Sequence, residues 1–164
     1  MKFKFLICFI TLILLSFAFA GCAQGGKENE TDVPQSEEDS GANREEVMYI
    51  TVNGNKMKVL LENNASAQAL TERLSSGSIT INMTDYGDME KVGELGFDLV
   101  RSDERIQARP GDVILYLGNS LTIYYDENNW NFTRLGHIEG VSSREEMLAM
   151  LGGKGEITAT LSLD

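Results

Sequence analysis

Residues 111–116 read Gly-Asp-Val-Ile-Leu-Tyr, and residues 118–121 read Gly-Asn-Ser-Leu. An apolar segment is thus followed by a short polar stretch that contains glycine, and then by a second apolar segment. Short segments rich in β-branched and aromatic residues on either side of such a stretch are typical of a β-hairpin. We therefore predict strands at Val113 to Leu117 and Leu121 to Asp126, joined by a turn at Gly118-Asn119-Ser120.

The same pattern extends upstream and downstream of this hairpin. Apolar side chains recur at every second position from Met48 to Val52 and from Met57 to Leu61, with Asn53-Gly54 between them. Asn-Gly is a strong hairpin signal because both residues accept a positive φ. Further strands are predicted at Ser78 to Thr84, Phe97 to Val100, Asn131 to Ile138 and Ile157 to Leu163, whereas Asp85 to Gly96 and Ser102 to Gly111 are predicted to be loops.

Two segments have helical periodicity instead. Asn64 to Leu74 places its apolar residues on one face, and Asn64 or Ser66 can cap its start. Ser142 to Leu151 begins with a serine, has Glu145 three residues later as in a capping box, and ends before two glycines. Eight strands and two helices favour a mainly β fold, namely a closed eight-stranded antiparallel barrel capped by two α-helices, because closure satisfies every strand edge.

The hairpin, taken together with Phe132-Thr133-Arg134-Leu135-Gly136-His137-Ile138, resembles the bacterial cyclophilin-like domain family over residues 47–164. The resemblance implies the eight-stranded, two-helix barrel of the prolyl isomerases called cyclophilins. In those enzymes an arginine after Phe-His, on the strand that follows the first helix, binds the proline amide. The corresponding strand here, Ile79-Thr80-Ile81-Asn82-Met83, contains neither arginine nor histidine. Only Arg134 could supply a guanidinium, from another strand, and an ion pair on the surface is its alternative role.

Aromatic residues in the second half of the chain indicate a binding surface. We predict a ligand-binding groove between Tyr86 and the edge formed by Trp130, Phe132 and Arg134, although packing at the barrel end would also explain these residues. Trp130 is expected to be exposed. Tyr124 and Tyr125 are expected to lie on opposite faces of their strand, one in the core and the other exposed.

Other kinds of chemistry have little support. His137 is the only histidine, so it cannot form a metal cluster alone, and a hydrogen-bonded barrel residue is the simpler interpretation. Asp85, Asp88 and Glu90 do not have the spacing of a calcium-binding loop. We expect no cofactor, no metal and no catalytic residue. The formal net charge of −11 argues against nucleic acid as a partner.

The N-terminus resembles a lipoprotein signal peptide. Lys2 and Lys4 precede an apolar run from Phe5 to Ala20, and Phe19-Ala20-Gly21-Cys22 resembles a bacterial lipobox with Phe19 in place of leucine. The run is short for a membrane-spanning helix of roughly 20 residues. We predict a signal peptide over residues 1–22 and a lipid anchor on Cys22 that holds the protein at the extracytoplasmic face of the membrane. An ordinary signal peptide and an uncleaved anchor are the alternatives.

Residues 23–46 are predicted to be an acidic disordered linker. The segment carries eight acidic residues against Lys27 and Arg44, and Val33 is its only large apolar residue. A partner-binding tail is the alternative. Residues 47–164 then form one cyclophilin-like domain without cysteine, since Cys8 lies in the signal peptide.

Three functions remain open at this point. The first is a non-catalytic module at the membrane that binds a peptide or small ligand. The second is a divergent prolyl isomerase that uses Arg134. The third is a passive surface or assembly protein.

The proposed anchor is tested by Cys22→Ala. Without the thiol no thioether to diacylglycerol can form, and only multiple acyl chains hold a protein stably at a membrane. We expect the variant to appear in the medium or to persist as an unprocessed precursor. A variant with the mass and membrane fractionation of the wild type would contradict the prediction.

Overall fold

The computed structural model describes residues 46–164, and this part of the chain contains nine strands and two helices. The strands are β1 (Val47–Val52), β2 (Asn55–Leu61), β3 (Ile79–Tyr86), β4 (Glu90–Glu94), β5 (Glu104–Ala108), β6 (Asp112–Tyr116), β7 (Ser120–Tyr124), β8 (Asn128–Ile138) and β9 (Ile157–Ser162). The helices are α1 (Ala65–Leu74) and α2 (Arg144–Leu151). The predicted signal peptide, Cys22 and the linker apart from Glu46 lie outside the described residues.

Eight of the strands form a closed antiparallel barrel. Their order is β2-β1-β9-β3-β4-β7-β6-β8, and pairing between β2 and β8 closes the ring. β5 lies outside the ring and pairs with the first half of β8, from Asn128 to Phe132. The prediction of a mainly β, eight-stranded barrel with two helices is therefore confirmed.

The barrel interior is the main hydrophobic core. Val113 and Leu115 point into it from β6, and both helices add buried side chains, among them Leu70 from α1 and Met147 from α2. Ile114 lies between Val113 and Leu115 and therefore points to the outer face of the barrel. There it joins a second, smaller cluster, which consists of Ala108, Ile114, Tyr124 and Phe132. No helix within residues 46–164 is long and apolar enough to cross a membrane.

Two strands occur where the sequence predicted loops. β4 lies within Asp85 to Gly96, and β5 lies within Ser102 to Gly111. Both strands contain charged residues that hide the usual strand pattern in the sequence. Glu90 and Lys91 of β4 are buried, and β5 is a largely exposed strand at the end of the sheet. Charged residues are almost never fully buried unless they are paired, so the sequence pattern favoured loops.

Two smaller predictions were wrong. Phe97 to Val100 is not a strand, although the Leu99 amide donates a hydrogen bond to the Gly118 carbonyl. Tyr124 and Tyr125 are both buried, since Tyr125 enters the barrel core and Tyr124 enters the outer cluster. The existence of two apolar faces on this part of the barrel explains why neither tyrosine is exposed.

The caps of the two helices differ in how well the sequence located them. Asn64 caps α1, because its side chain accepts hydrogen bonds from the Ser66 and Ala67 amides. The cap of α2 is Ser143 rather than Ser142, and Glu146 rather than Glu145 completes the capping box. Ser142 contributes a further hydrogen bond to the carboxylate of Glu146.

The seam that closes the barrel depends on one glycine. Gly136 of β8 lies opposite Leu61 of β2, and a Cβ atom on it would overlap the carbonyl oxygen of Leu60. The side chain of Val59 blocks the same space. The two strands can therefore approach to pairing distance only because this residue has no side chain.

Gly136→Ala should destabilise the domain. The added methyl group meets backbone, which cannot yield as a flexible side chain would, so we expect a loss of at least about 1–3 kcal/mol in the free energy of unfolding. Thr84→Ala, at an exposed position of β3, is the control and should change it by no more than about 0.5 kcal/mol. Urea unfolding of both variants measures the difference, and equal stabilities would show that the seam tolerates a side chain.

Candidate functional site

A cavity of about 310 Å³ opens on the outer face of the barrel. We call it the aromatic cavity because five of its eight lining residues carry aromatic rings. Its lining consists of Tyr86, Glu90, Val92, Tyr116, Tyr124, Asn128, Trp130 and Phe132. Binding sites for small molecules have this composition, with apolar and aromatic walls and a few polar groups that fix orientation.

Strand geometry explains why these residues meet. Asn128, Trp130 and Phe132 alternate along the first half of β8, so they share one face of that strand. On the barrel wall, Glu90 of β4 is paired with both Tyr86 of β3 and Tyr124 of β7. The ribbon formed by β5 and β8 therefore supplies one wall of the aromatic cavity, and the barrel strands supply the other.

Packing between rings fixes the floor of the cavity. The ring of Phe132 contacts those of Tyr124 and Tyr116, with centroid distances of 5.7 Å and 6.4 Å. Phe132 and Tyr124 are almost fully buried, whereas Tyr86 and Trp130 are 67% and 60% exposed. A rigid apolar floor thus lies beneath two rings that are accessible to a ligand.

Glu90 is the only ionisable carboxyl group in the lining. Its side chain is buried, with the residue only 8% exposed, and its Oε2 atom has no hydrogen-bond partner within residues 46–164. Burial raises the pKa of Glu90, and the nearby hydroxyl groups of Tyr124 and Thr122 only partly oppose this effect. The aromatic cavity therefore contains a carboxyl group with unused hydrogen-bonding capacity.

The remaining polar groups of the cavity are partly engaged. The Asn128 side-chain amide donates a hydrogen bond to the Tyr124 hydroxyl over 3.1 Å. Burial raises the pKa of Tyr124, and the neighbouring carboxyl group of Glu90 raises it further, so this phenol stays protonated. The hydroxyl of Tyr124 can therefore serve as a hydrogen-bond donor at neutral pH.

Arg134 lies apart from the three aromatic residues with which it was predicted to form a groove. Tyr86, Trp130 and Phe132 line the aromatic cavity, whereas Arg134 borders a separate polar depression. Its Nη2 atom lies 3.0 Å from Oδ2 of buried Asp112 and donates to the Gln107 carbonyl over 3.2 Å. These contacts hold the guanidinium group in place within the fold.

The other candidates from the sequence are also engaged in structural contacts. His137 Nδ1 lies 2.9 Å from Oδ1 of Asp112. Asp85 accepts hydrogen bonds from Lys91 and Tyr125, and Asp88 is paired with Arg144 and Lys154. Within residues 46–164 no cluster of acidic, histidine or cysteine side chains has the arrangement of a metal site.

Sequence reasoning missed the most informative residue of the cavity, which is Glu90. It was grouped with Asp85 and Asp88 as a loop acid, but only Glu90 turns onto the outer face of β4 and becomes buried. Tyr116, which also lines the cavity, was predicted only as part of a strand. In the sequence, the expectation that Tyr124 and Tyr125 lie on opposite faces of their strand was the one sign that an aromatic ring faces outward here.

Comparisons with known proteins identify the fold. The model of the cyclophilin-like family matches residues 50–162. A hypothetical protein from Archaeoglobus fulgidus, known from its solution structure, is similar with a TM-score of 0.53 and 11% sequence identity. The similarity covers 73% of this chain and 95% of that protein, and at this identity it shows the fold alone. No curated protein matches the sequence.

Glu90→Gln should make stability less dependent on pH. A raised pKa means that the folded state binds the proton more tightly than the unfolded state. Protonation of Glu90 therefore stabilises the folded wild type at pH values below the unfolded pKa of about 4.3. This stabilisation is lost as the pH rises through the pKa of Glu90 in the folded state. At neutral pH the variant should therefore be more stable than the wild type.

The measurement is a series of melting temperatures for both proteins between acid and neutral pH. The difference between them should shrink as the pH falls. A constant difference across the range would mean that the carboxyl group of Glu90 does not titrate differently in the folded and unfolded states.

Proposed function

We propose, from the premise that this chain belongs to the cyclophilin-like family, that it is a binding module without catalytic activity. In this proposal the aromatic cavity holds a small ligand or a side chain of a peptide, and a lipid on Cys22 anchors the module at the extracytoplasmic face of the membrane. The family by itself assigns no activity, because one fold can serve many functions. The function must therefore be derived from the residues of the site.

The observation that carries the proposal is the composition of the aromatic cavity. A concave volume of about 310 Å³ is walled by aromatic rings and contains one buried carboxyl group with a free oxygen. Exposed aromatic residues are normally scattered singly, so Tyr86 and Trp130 on the rim of one cavity are unusual. A ligand would cover these rings and satisfy the buried oxygen.

The contacts of Arg134 argue against the isomerase alternative. Rotation of a prolyl amide has a barrier of about 18–20 kcal/mol, and an enzyme lowers it by binding the twisted amide more tightly than the planar one. Arg134 is the arginine that could take this role from a strand other than the one that follows the first helix. Its guanidinium group, however, is bound to Asp112 and to the Gln107 carbonyl. It also does not line the aromatic cavity.

A passive surface or assembly role is the other alternative. It would require no concave site, and it gives no reason for a carboxyl oxygen without a partner in an apolar cavity. Burying a polar group without a partner costs free energy, and such groups in folded proteins are often explained by function. Binding at the aromatic cavity accounts for the unpartnered Oε2 atom of Glu90, whereas a passive role does not.

Binding can be measured with Trp130 itself, because it is the only tryptophan in the chain. Benzyl alcohol, a neutral aromatic probe of small size, should change the Trp130 emission in a saturable way and raise the melting temperature. Tyr86→Ala should weaken this binding severalfold because it removes an exposed ring from the rim. Val100→Ala, which shortens an exposed apolar side chain elsewhere, is the matched control and should bind normally.

Two outcomes would contradict the proposal. One is that neither benzyl alcohol nor a charged benzyl analogue gives a saturable response that Tyr86→Ala weakens. The other is a prolyl-peptide isomerisation activity that is lost in Arg134→Ala while the protein remains folded. The second result would favour the isomerase alternative instead.

A further inference from the structure

We infer that the ligand of the aromatic cavity is a small organic ammonium ion, with Glu90 as its counter-charge and the surrounding rings as a cation-binding wall. This inference rests on the proposed binding function and names the chemical class of ligand. The geometry that supports it consists of one carboxyl group and five aromatic rings around a single cavity.

Glu90 has a carboxyl oxygen whose hydrogen-bonding capacity is unmet. A buried carboxylate is stable only when it is paired or hydrogen-bonded, yet Oε2 has no partner within the described residues. The terminal torsion of a glutamate side chain is broad, so either oxygen can turn towards the cavity. A primary ammonium group carries donors and a positive charge, and it would satisfy this carboxylate directly.

The aromatic rings around the carboxyl group are arranged as a cation-binding site would be. Faces of tyrosine and tryptophan rings attract cations, and several rings around one volume form the kind of cage that recognises ammonium groups. Tyr86 and Trp130 offer accessible rings at the rim, and Tyr116 lies beside them. Among the eight lining residues there is no lysine, arginine or histidine, so no charge of the protein occupies this position.

The volume of the cavity and the net charge of the protein also favour a small cation. A volume of about 310 Å³ lies at the small end of the range of roughly 300–1,000 Å³ for ligand sites, which favours a small molecule over an extended peptide. The formal net charge of −11 also favours approach of a cation. Burial keeps the pKa of Glu90 raised, so binding of the cation is coupled to release of a proton whenever this group is protonated in the free protein.

The experiment compares probes that share a benzyl framework and differ in charge, namely benzylamine as the cation, benzyl alcohol as the neutral analogue and benzoate as the anion. Trp130 emission and melting temperature report binding of each. The wild type should bind benzylamine about tenfold more tightly than benzyl alcohol, and benzoate least tightly. In Glu90→Gln the ratio between benzylamine and benzyl alcohol should fall towards one.

Glu104→Gln is the matched control. It removes an equal charge from an exposed position of β5 outside the cavity, and it should preserve the ratio seen in the wild type. This control separates the local carboxyl group from the general negative charge of the protein. An equal loss of preference in both variants would overturn the inference.

A pH series of the wild type tests the inference without any substitution. The other titratable side chains that line the aromatic cavity are the phenols of Tyr86, Tyr116 and Tyr124, so Glu90 is the only carboxyl group among them. The preference for benzylamine should therefore fall as acidification protonates Glu90. A preference that persists at low pH would overturn the role of Glu90 even if Glu90→Gln failed to fold.

The results also separate this inference from the proposed function. If benzyl alcohol and benzylamine bind equally well, the cavity binds ligands but does not select ammonium ions, and only the inference fails. If no probe binds, the proposed binding function fails with it. Tighter binding of benzoate than of benzylamine would likewise overturn the inference.

Discussion

The carboxylate of Asp112 is the contact on which the outer half of the structure depends. Its side chain is 1% exposed and lies 3.0 Å from Arg134 and 2.9 Å from His137, and it accepts a hydrogen bond from the Arg109 amide. Arg134 and His137 lie on either side of a register shift in the pairing of β6 with β8. Asp112 therefore anchors β8 where it pairs with β6, close to the junction at which the first half of β8 pairs with β5 instead. Because a buried charge that loses its partners is strongly destabilising, this junction tolerates little change.

The aromatic cavity follows from that junction. Beyond it, β8 extends away from β6 as a ribbon with β5, and this ribbon carries Trp130 and Phe132 over the outer face of the barrel. Phe132 then packs on Tyr124, which would otherwise be exposed. The histidine and the arginine considered as candidates from the sequence, His137 and Arg134, are thus part of the scaffold. The aromatic cavity is instead lined mainly by rings, with one carboxyl group.

The parts of the fold that could be predicted are those whose pattern follows solvent exposure. The hairpins, α1 and the closed barrel belong to this class, since their apolar residues recur with the period of the element. β4 could not be predicted because Lys91 is fully buried, where it contacts Asp85 and the Gly155 carbonyl at 2.6 Å each. An ammonium group in the interior is acceptable only with such partners, and they lie as many as 64 residues away in sequence. The same reason hid Glu90: its burial results from β3, β7 and β8 together, whereas the aromatic residues could be found from composition alone.

The position of β9 has a consequence for how the chain folds. This strand, although late in the sequence, lies between β1 and β3 and pairs with both. The early strands therefore cannot complete their sheet until residue 162 is available, and the loop that must close spans most of the domain. Long-range pairing of this kind is entropically expensive and slow, so partial chains would expose unpaired edges rather than fold stepwise. During synthesis, the barrel would remain unfolded until its last strand emerges, and would then form as one cooperative unit.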